Sequence, residues 1–377
     1  MNVDMLVFGE DWGALPSSNQ HLIRHLLPDM NIVWVNSLGL RRPKLCKRDL
    51  LRAMKKLQSM VSQKNAIDSN FEASGLKPHI INPRVIPWPG NPIARKLNES
   101  LLTKLLLPIL ASNDTRPILW TSLPSAADVV GKLGERACIY YCGDDFSALD
   151  GVDHAPVAKM EQELVKKADL IIAASHKIAE KFPQDKTLVL PHGVDFERFS
   201  TPAPRANDLG SGPVAGFYGS IAGWFDKELM LATAKQLPHW RFVLIGPTST
   251  NIEELIAQPN IEWLGPRAHK ELAHYSQHWD VGILPFKNNA QIQACNPLKL
   301  REYLAAGQPI VSTHYPAIVD YENLVNIAED APVAFARTIE EAYLDNKKGD
   351  SKRRQASVKQ ESWHIKAQQL KDIIERL

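Results

Sequence analysis

Short apolar runs alternate with amphipathic stretches along the whole chain. Residues 5–8, 32–35, 79–81, 118–120, 138–141, 170–174 and 188–190 read as strands, rich in Val, Ile, Leu and Tyr. Helical spacing falls between them at 21–27, with cap candidates from Ser17 to Asn19, and at 93–110, 125–133, 157–168 and 176–181. Residues 201–213, TPAPRANDLGSGP, gather Pro, Gly, Ser and Asn with little to bury and read as a linker. The pattern then restarts, with strands at 214–218, 242–245, 261–264 and 281–284 and a helix at 227–237. Strands alternating with helices imply an α/β fold with parallel sheets covered on both faces. Two Rossmann-like halves of similar size follow, and a cleft between them is expected. The domains are read as 1–205, 206–360 and a final amphipathic helix at 361–377.

The stretch NPLKLREYLAAGQPIVST, residues 296–313, concentrates the chemistry. It reads as a loop, a short helix, a turn and a buried strand. Pro297 suits a first turn, where its missing N–H would have no partner, and Gly307 suits a left-handed stop. The free amides and positive dipole end of that helix would point at an anion. Lys299 and Glu302, three apart, share a face. A cation, a carboxylate and an anion-binding end suit a phosphate attached to a hydroxylated sugar, although a solvated ion pair has the same spacing.

Charge is close to balanced, +2 over 377 residues, so it argues for no nucleic-acid partner. Nine basic residues crowd into the segment from Arg41 to Lys64, opposed only by Asp49 and interleaved with Leu and Met. That segment reads either as a helix on an anionic membrane surface or as a solvated helix packed on its own domain. Cys46, Cys138, Cys142 and Cys295 show no zinc-type pairing and read as reduced thiols. No apolar run is long enough to cross a bilayer, and the N-terminus lacks signal-peptide character. A soluble, cytoplasmic protein is expected, peripheral at the inner face of the membrane if the basic segment binds there.

Binding in parallel sheets occurs at the carboxyl ends of strands. In the first half this selects Gly9, Glu10, Asp11, Trp12, Gly13, Gly143, Asp144, Asp145 and Ser175. Asp144 and Asp145 could serve as a base or accept from a sugar hydroxyl; capping the next segment is the plainer role. In the second half, Gly219-Ser220 lies between strand and helix, where backbone amides could approach a pyrophosphate or merely form a turn. Gly216, Gly219 and Gly223 do not make the dinucleotide fingerprint, and no metal-ligand cluster stands out.

Together these motifs resemble nucleotide-sugar glycosyltransferases of the GT-B fold, in the family 4 group of bacterial polysaccharide enzymes. The matching runs are PHGVDFERF at 191–199, GFYGS at 216–220, IEWLGP at 261–266, WDVGILPF at 279–286 and NPLKLREYLAAG at 296–307. In the first half, YYCGDDF at 140–146 and ELVKKADL at 163–170 resemble the exopolysaccharide and teichuronic-acid branch. The resemblance implies two Rossmann-like domains facing each other across a cleft, with a C-terminal helix packing back on the first. It implies that Glu302 grips the donor ribose, that Lys299 lies by the diphosphate or the transferred sugar, and that Gly219 and Ser220 approach the phosphates. Gly265 and Arg267 would border the base, and Cys295, Asn296 and Pro297 would line the donor site. Asp11, Trp12, Gly13 and Ser175 would face the acceptor. No cofactor or metal is expected, since amides and basic groups would stabilise the departing diphosphate.

One departure matters. The family carries a first glutamate where this chain has Ala294. Retention of configuration is implied by resemblance, and inversion through Asp144 or Asp145 stays open. The expected activity is sugar transfer from a nucleotide diphosphate sugar to a glycan or lipid-linked acceptor. A GT-B sugar-nucleotide epimerase and a non-catalytic partner of a polysaccharide assembly complex are the alternatives.

Overall fold

A computed structural model describes residues 2–14, 17–40, 75–111, 114–149, 151–346 and 349–377. The basic segment from Arg41 to Lys64 and Cys46 lie outside the described residues. Contacts divide the chain into two units, Met1–Pro191 with Ala367–Leu377, and His192–Lys366.

The first unit is built on a seven-stranded sheet. Its strands are β1 (Met5–Phe8), β2 (Ile32–Val35), β3 (His79–Ile81), β4 (Ile118–Thr121), β5 (Ala137–Cys142), β6 (Leu170–Ala173) and β7 (Thr187–Val189). They lie in the order β3-β2-β1-β4-β5-β6-β7, and every pair is parallel. All residues of β1, β2, β4, β5 and β6 are buried, as continuous apolar strands covered on both faces must be. The strand order reverses between β1 and β4, which makes their carboxyl ends the natural binding edge.

Caps set the helix starts. Ser17 accepts from the Gln20 amide ahead of Ser18–Leu26, and Asn91 accepts from Ile93 and Ala94 ahead of Pro92–Leu110. The helix expected at 125–133 is a 3-10 turn, Pro124–Asp128. Gly131 and Gly134, both at positive φ, end it as a loop. The last helix is Trp363–Ile374, and Lys371 near its end bonds Asp29 of the first unit.

The second unit carries β8 (Val214–Tyr218), β9 (Arg241–Ile245), β10 (Ile261–Gly265), β11 (Val281–Leu284), β12 (Ile310–Ser312) and β13 (Asn326–Ile327). Their order is β10-β9-β8-β11-β12-β13, again all parallel, with the reversal between β8 and β11. Large rings fill the core. Trp279 occupies the space that a Cβ at Gly216 would need, 2.0 Å from its indole, so β8 and the Trp279 ring close on each other only through glycine.

Residues 201–213 are not a free tether. Leu209 is fully buried, the Ala206 amide donates to the His274 carbonyl at 3.0 Å, and the Ala203 amide donates to Gln277 at 2.9 Å. These residues form part of the second unit's surface.

Candidate functional site

The carboxyl ends of β8, β9 and β10 run into three glycines that interlock. The Gly219 amide donates to Ile245 at 2.8 Å, and the Gly246 amide donates to Gly265 at 3.0 Å. Gly219 has φ +146, and a Cβ there would lie 2.2 Å from Lys299 Cε. The positive φ favours glycine here, and an added Cβ would push the Lys299 stem away from the end of β8. Gly246, at φ +135, is bound as tightly, because its Cβ would fall 2.1 Å from the Gly219 carbonyl oxygen.

Lys299 belongs to the first turn of the helix Leu298–Ala306, which Gly307 ends at φ 86. Pro297 takes the N-cap position and supplies no side-chain acceptor. The leading amides thus meet no capping side chain, which is the arrangement that receives an anion. The Lys299 ammonium lies 6.0 Å from the Trp224 ring centroid. One turn on, Glu302 Oε1 is 3.2 Å from His269 Nε2, and both side chains are largely buried, 12% and 9% exposed. Tyr218, the last residue of β8, has its phenol held well above its ordinary range by burial and then by the Glu302 charge. Successive residues of β8 and its turn, Tyr218 and Gly219, therefore lie against Glu302 and Lys299.

A second layer fixes the start of this helix. The Asn296 carbonyl accepts from His192 Nδ1 at 2.7 Å, and the Asn296 side chain accepts from Arg301. Because a carbonyl can only accept, His192 carries its proton on Nδ1; its Nε2 is buried without a partner. Burial and then the Arg301 charge lower the His192 pKa to about 3, so the ring is neutral. Arg301 in turn donates to Glu361 at 2.6 Å, and Tyr321 donates to the other oxygen of Glu361. The segments around His192 and Glu361 are stitched by two backbone bonds, Val194 N to Glu361 O at 2.9 Å and Trp363 N to Val194 O at 3.1 Å. Cys295 is half-buried and follows the short helix Ala290–Ala294. His192, His269, Arg301 and Glu361 were not singled out from the sequence as site residues. His192 stands within the PHGVDFERF run, but nothing local marks its partner 104 residues away.

Arg267 follows Gly265 yet faces its own unit. Its guanidinium donates to the Leu264 carbonyl at 2.6 Å, to Tyr275 at 3.1 Å and to Asp208 at 2.8 Å. A side-chain contact with a base would require it to leave these partners. Ser220 is half-buried at the β8 turn.

The first unit places its expected residues at the carboxyl ends of its own strands. Trp12 N donates to Asn36 at 2.8 Å, Gly13 N to Gln20 at 3.0 Å, and Asp11 accepts from Ser37 N at 3.1 Å. Ser175 caps His176–Ala179 by accepting from Ile178 at 3.1 Å. Asp145 accepts from Lys181 at 2.5 Å and from the amide and hydroxyl of Ser147. Burial raises its pKa, but these donors outweigh it and the net shift is downward. A carboxylate so held is a weak proton acceptor; the capping role fits it better than that of a base. Asp144 beside it is exposed. Cys138 and Cys142 are buried free thiols, and burial first pushes the Cys138 thiol up to about 12. Among the described residues, no group of three or more His, Cys, Asp or Glu side chains is placed to hold a metal ion.

Residues 213–345 match the family described as Glycosyl transferases group 1. A Bacillus subtilis (strain 168) protein bearing the name of a teichuronic acid biosynthesis glycosyltransferase, TuaH, is 33% identical over 229 residues, 55% of this chain. The match spans 58% of that relative's length. Among solved structures, HepE of Anabaena in complex with UDP superposes with a TM-score of 0.68 at 13% identity, covering 99% of this chain and 100% of that one. Sucrose-phosphate synthase of Thermosynechococcus elongatus gives 0.70 at 14% identity, covering 100% and 99%. Residues 213–345 thus match the group 1 glycosyl transferases, and the chain as a whole has the GT-B fold.

Proposed function

We propose that this chain transfers a sugar from a nucleotide diphosphate sugar to a glycan or lipid-linked acceptor, in the synthesis of a bacterial surface polysaccharide at the inner face of the membrane. The observation that carries this reading is the pairing at the end of β8. Gly219 admits the Lys299 stem, and Glu302 stands one turn on beside Tyr218. As the glycosidic bond breaks, negative charge grows on the departing diphosphate. In this reading the leading amides of Leu298–Ala306 and the Lys299 ammonium stabilise it, and no metal ion is called for. Glu302, an acceptor-only group when ionised, suits the two ribose hydroxyls of a nucleotide. Asp11, Trp12, Gly13 and Ser175 in the first unit are the acceptor-side residues of this reading.

Solved relatives support the donor class. HepE of Anabaena was crystallised with UDP and with UDP-glucose. Retention of configuration is the stereochemistry we assign from the resemblance; of the two candidate bases for inversion, Asp145 is committed to Lys181 and Ser147, and Asp144 is the one that inversion would use. The test is titration calorimetry of UDP against the parent and Glu302→Ala. Loss of a charge-assisted hydrogen bond is expected to weaken binding about tenfold or more. Equal affinity for the two proteins would remove Glu302 from the ribose.

A further inference from the structure

The first unit displays an apolar face that the proposed chemistry does not use. On the helix Pro92–Leu110, Ala94, Leu102, Leu106 and Leu110 are buried. Ile93, Leu97, Leu101 and Leu105 recur every fourth residue on another side and are exposed, Ile93 by 71% and the leucines by 40–48%. Leu107 extends the same surface at 42%. The preceding turn adds Ile86 and Trp88, 39% and 40% exposed. That turn is fixed to the helix, because the Ile86 amide donates to Asn98 at 2.8 Å and the Ile86 carbonyl accepts from Asn98 at 2.9 Å. The combined area is on the order of several hundred Å², the size at which an exposed apolar patch marks an interaction surface.

The charges choose the occupant. On a helical projection, Lys104 falls in the middle of the exposed leucines, and Lys96 lies at their margin, bonded to Glu99 at 3.2 Å. Glu99 is turned from this face and also takes Lys132 at 2.8 Å. A second copy docked through the same stripe would bury the Lys104 ammonium of each copy in an apolar contact without a carboxylate on that face to pair it. A lipid–water interface has no such conflict. Leucines enter the acyl boundary, the lysine stem lies along them with its ammonium among anionic headgroups, and a tryptophan sits at the rim.

We infer that the exposed face of Pro92–Leu110, with the Ile86–Trp88 turn, docks on an anionic lipid surface. The inference deepens the reading of a lipid-linked acceptor by locating where the chain meets the membrane. It is separable from that reading, since vesicle binding needs neither nucleotide nor turnover.

The test is flotation of the full chain with phosphatidylcholine vesicles, with and without phosphatidylglycerol. The parent should float with the anionic vesicles, less so as salt rises. Leu97→Gln/Leu101→Gln/Leu105→Gln, all at exposed positions, should keep the parent's circular dichroism and lose partitioning at least tenfold. Lys104→Gln should lose about fivefold on anionic vesicles and little on neutral ones. Flotation of the triple variant equal to the parent, or a parent that never floats, would overturn the inference. A parent dimer that the triple variant dissolves in light scattering would assign the face to a second copy instead.

Discussion

Acidification should destabilise the second unit through His192, because the folded ring resists the proton that the unfolded chain accepts. Its ring is buried and neutral, with a pKa lowered to about 3, first by loss of water and then by Arg301. In an unfolded chain the same imidazole titrates near 6.5. Above about pH 6.5 both states hold the neutral ring, and the shift contributes nothing. Between that pH and about 3 the unfolded chain takes up a proton that the folded chain refuses, so stability falls as pH falls. One proton corresponds to about 1.4 kcal/mol per pH unit, so roughly 2 kcal/mol is lost from this group alone by about pH 5. His192→Asn keeps an N–H near the Nδ1 position for the Asn296 carbonyl and removes the titration. Near neutral pH the variant should be less stable by about 1–2 kcal/mol, through lost packing. In urea unfolding near pH 5, that deficit should close, a relative shift of about 2 kcal/mol between the two conditions. Carboxylates common to both proteins cancel in the comparison. A deficit that stays the same at both pH values would refute the buried, neutral ring.

Two further substitutions address the site directly. Gly219→Ala places a Cβ 2.2 Å from Lys299 Cε at φ +146. It should displace the ammonium and weaken UDP binding about tenfold, with a destabilisation of about 1–3 kcal/mol; unchanged affinity in calorimetry would separate Lys299 from the phosphates. Arg301→Met leaves the partly buried Glu361 without its guanidinium and should cost about 3 kcal/mol in thermal denaturation. Adding Glu361→Gln should recover part of that loss, and a double variant no better than the single would mean that the pair is not coupled.

The sheet was legible because parallel strands are written as continuous apolar runs. Residues 5–8, 32–35 and 79–81 match β1 to β3 at both ends. Misreadings fall where length or tertiary contact outweighs local pattern. β13 is two exposed residues and leaves no periodic signal. The apolar spacing at 125–133 looked helical, but Gly131 and Gly134 interrupt it. Of the site, Lys299 and Glu302 share one helix and could be paired by counting. The partners that hold them come from distant segments, His269 against Glu302 and the line from Glu361 through Arg301 to Asn296 and His192. No period or propensity links such positions. Residues 201–213 show the opposite case, since Pro and Gly composition suggested slack where buried Leu209 and paired amides leave none.

That last stretch bears on how such chains can be recombined. A hybrid joined at residue 206 would separate Ala203 and Arg205 from the His278 carbonyl, His278 ring and Gln277 amide that they bond. Its second half would present raw polar groups where a fitted strip of backbone belongs. A join ahead of His192 carries the strip along with its bed, and keeps the Asn296 carbonyl supplied with its native imidazole.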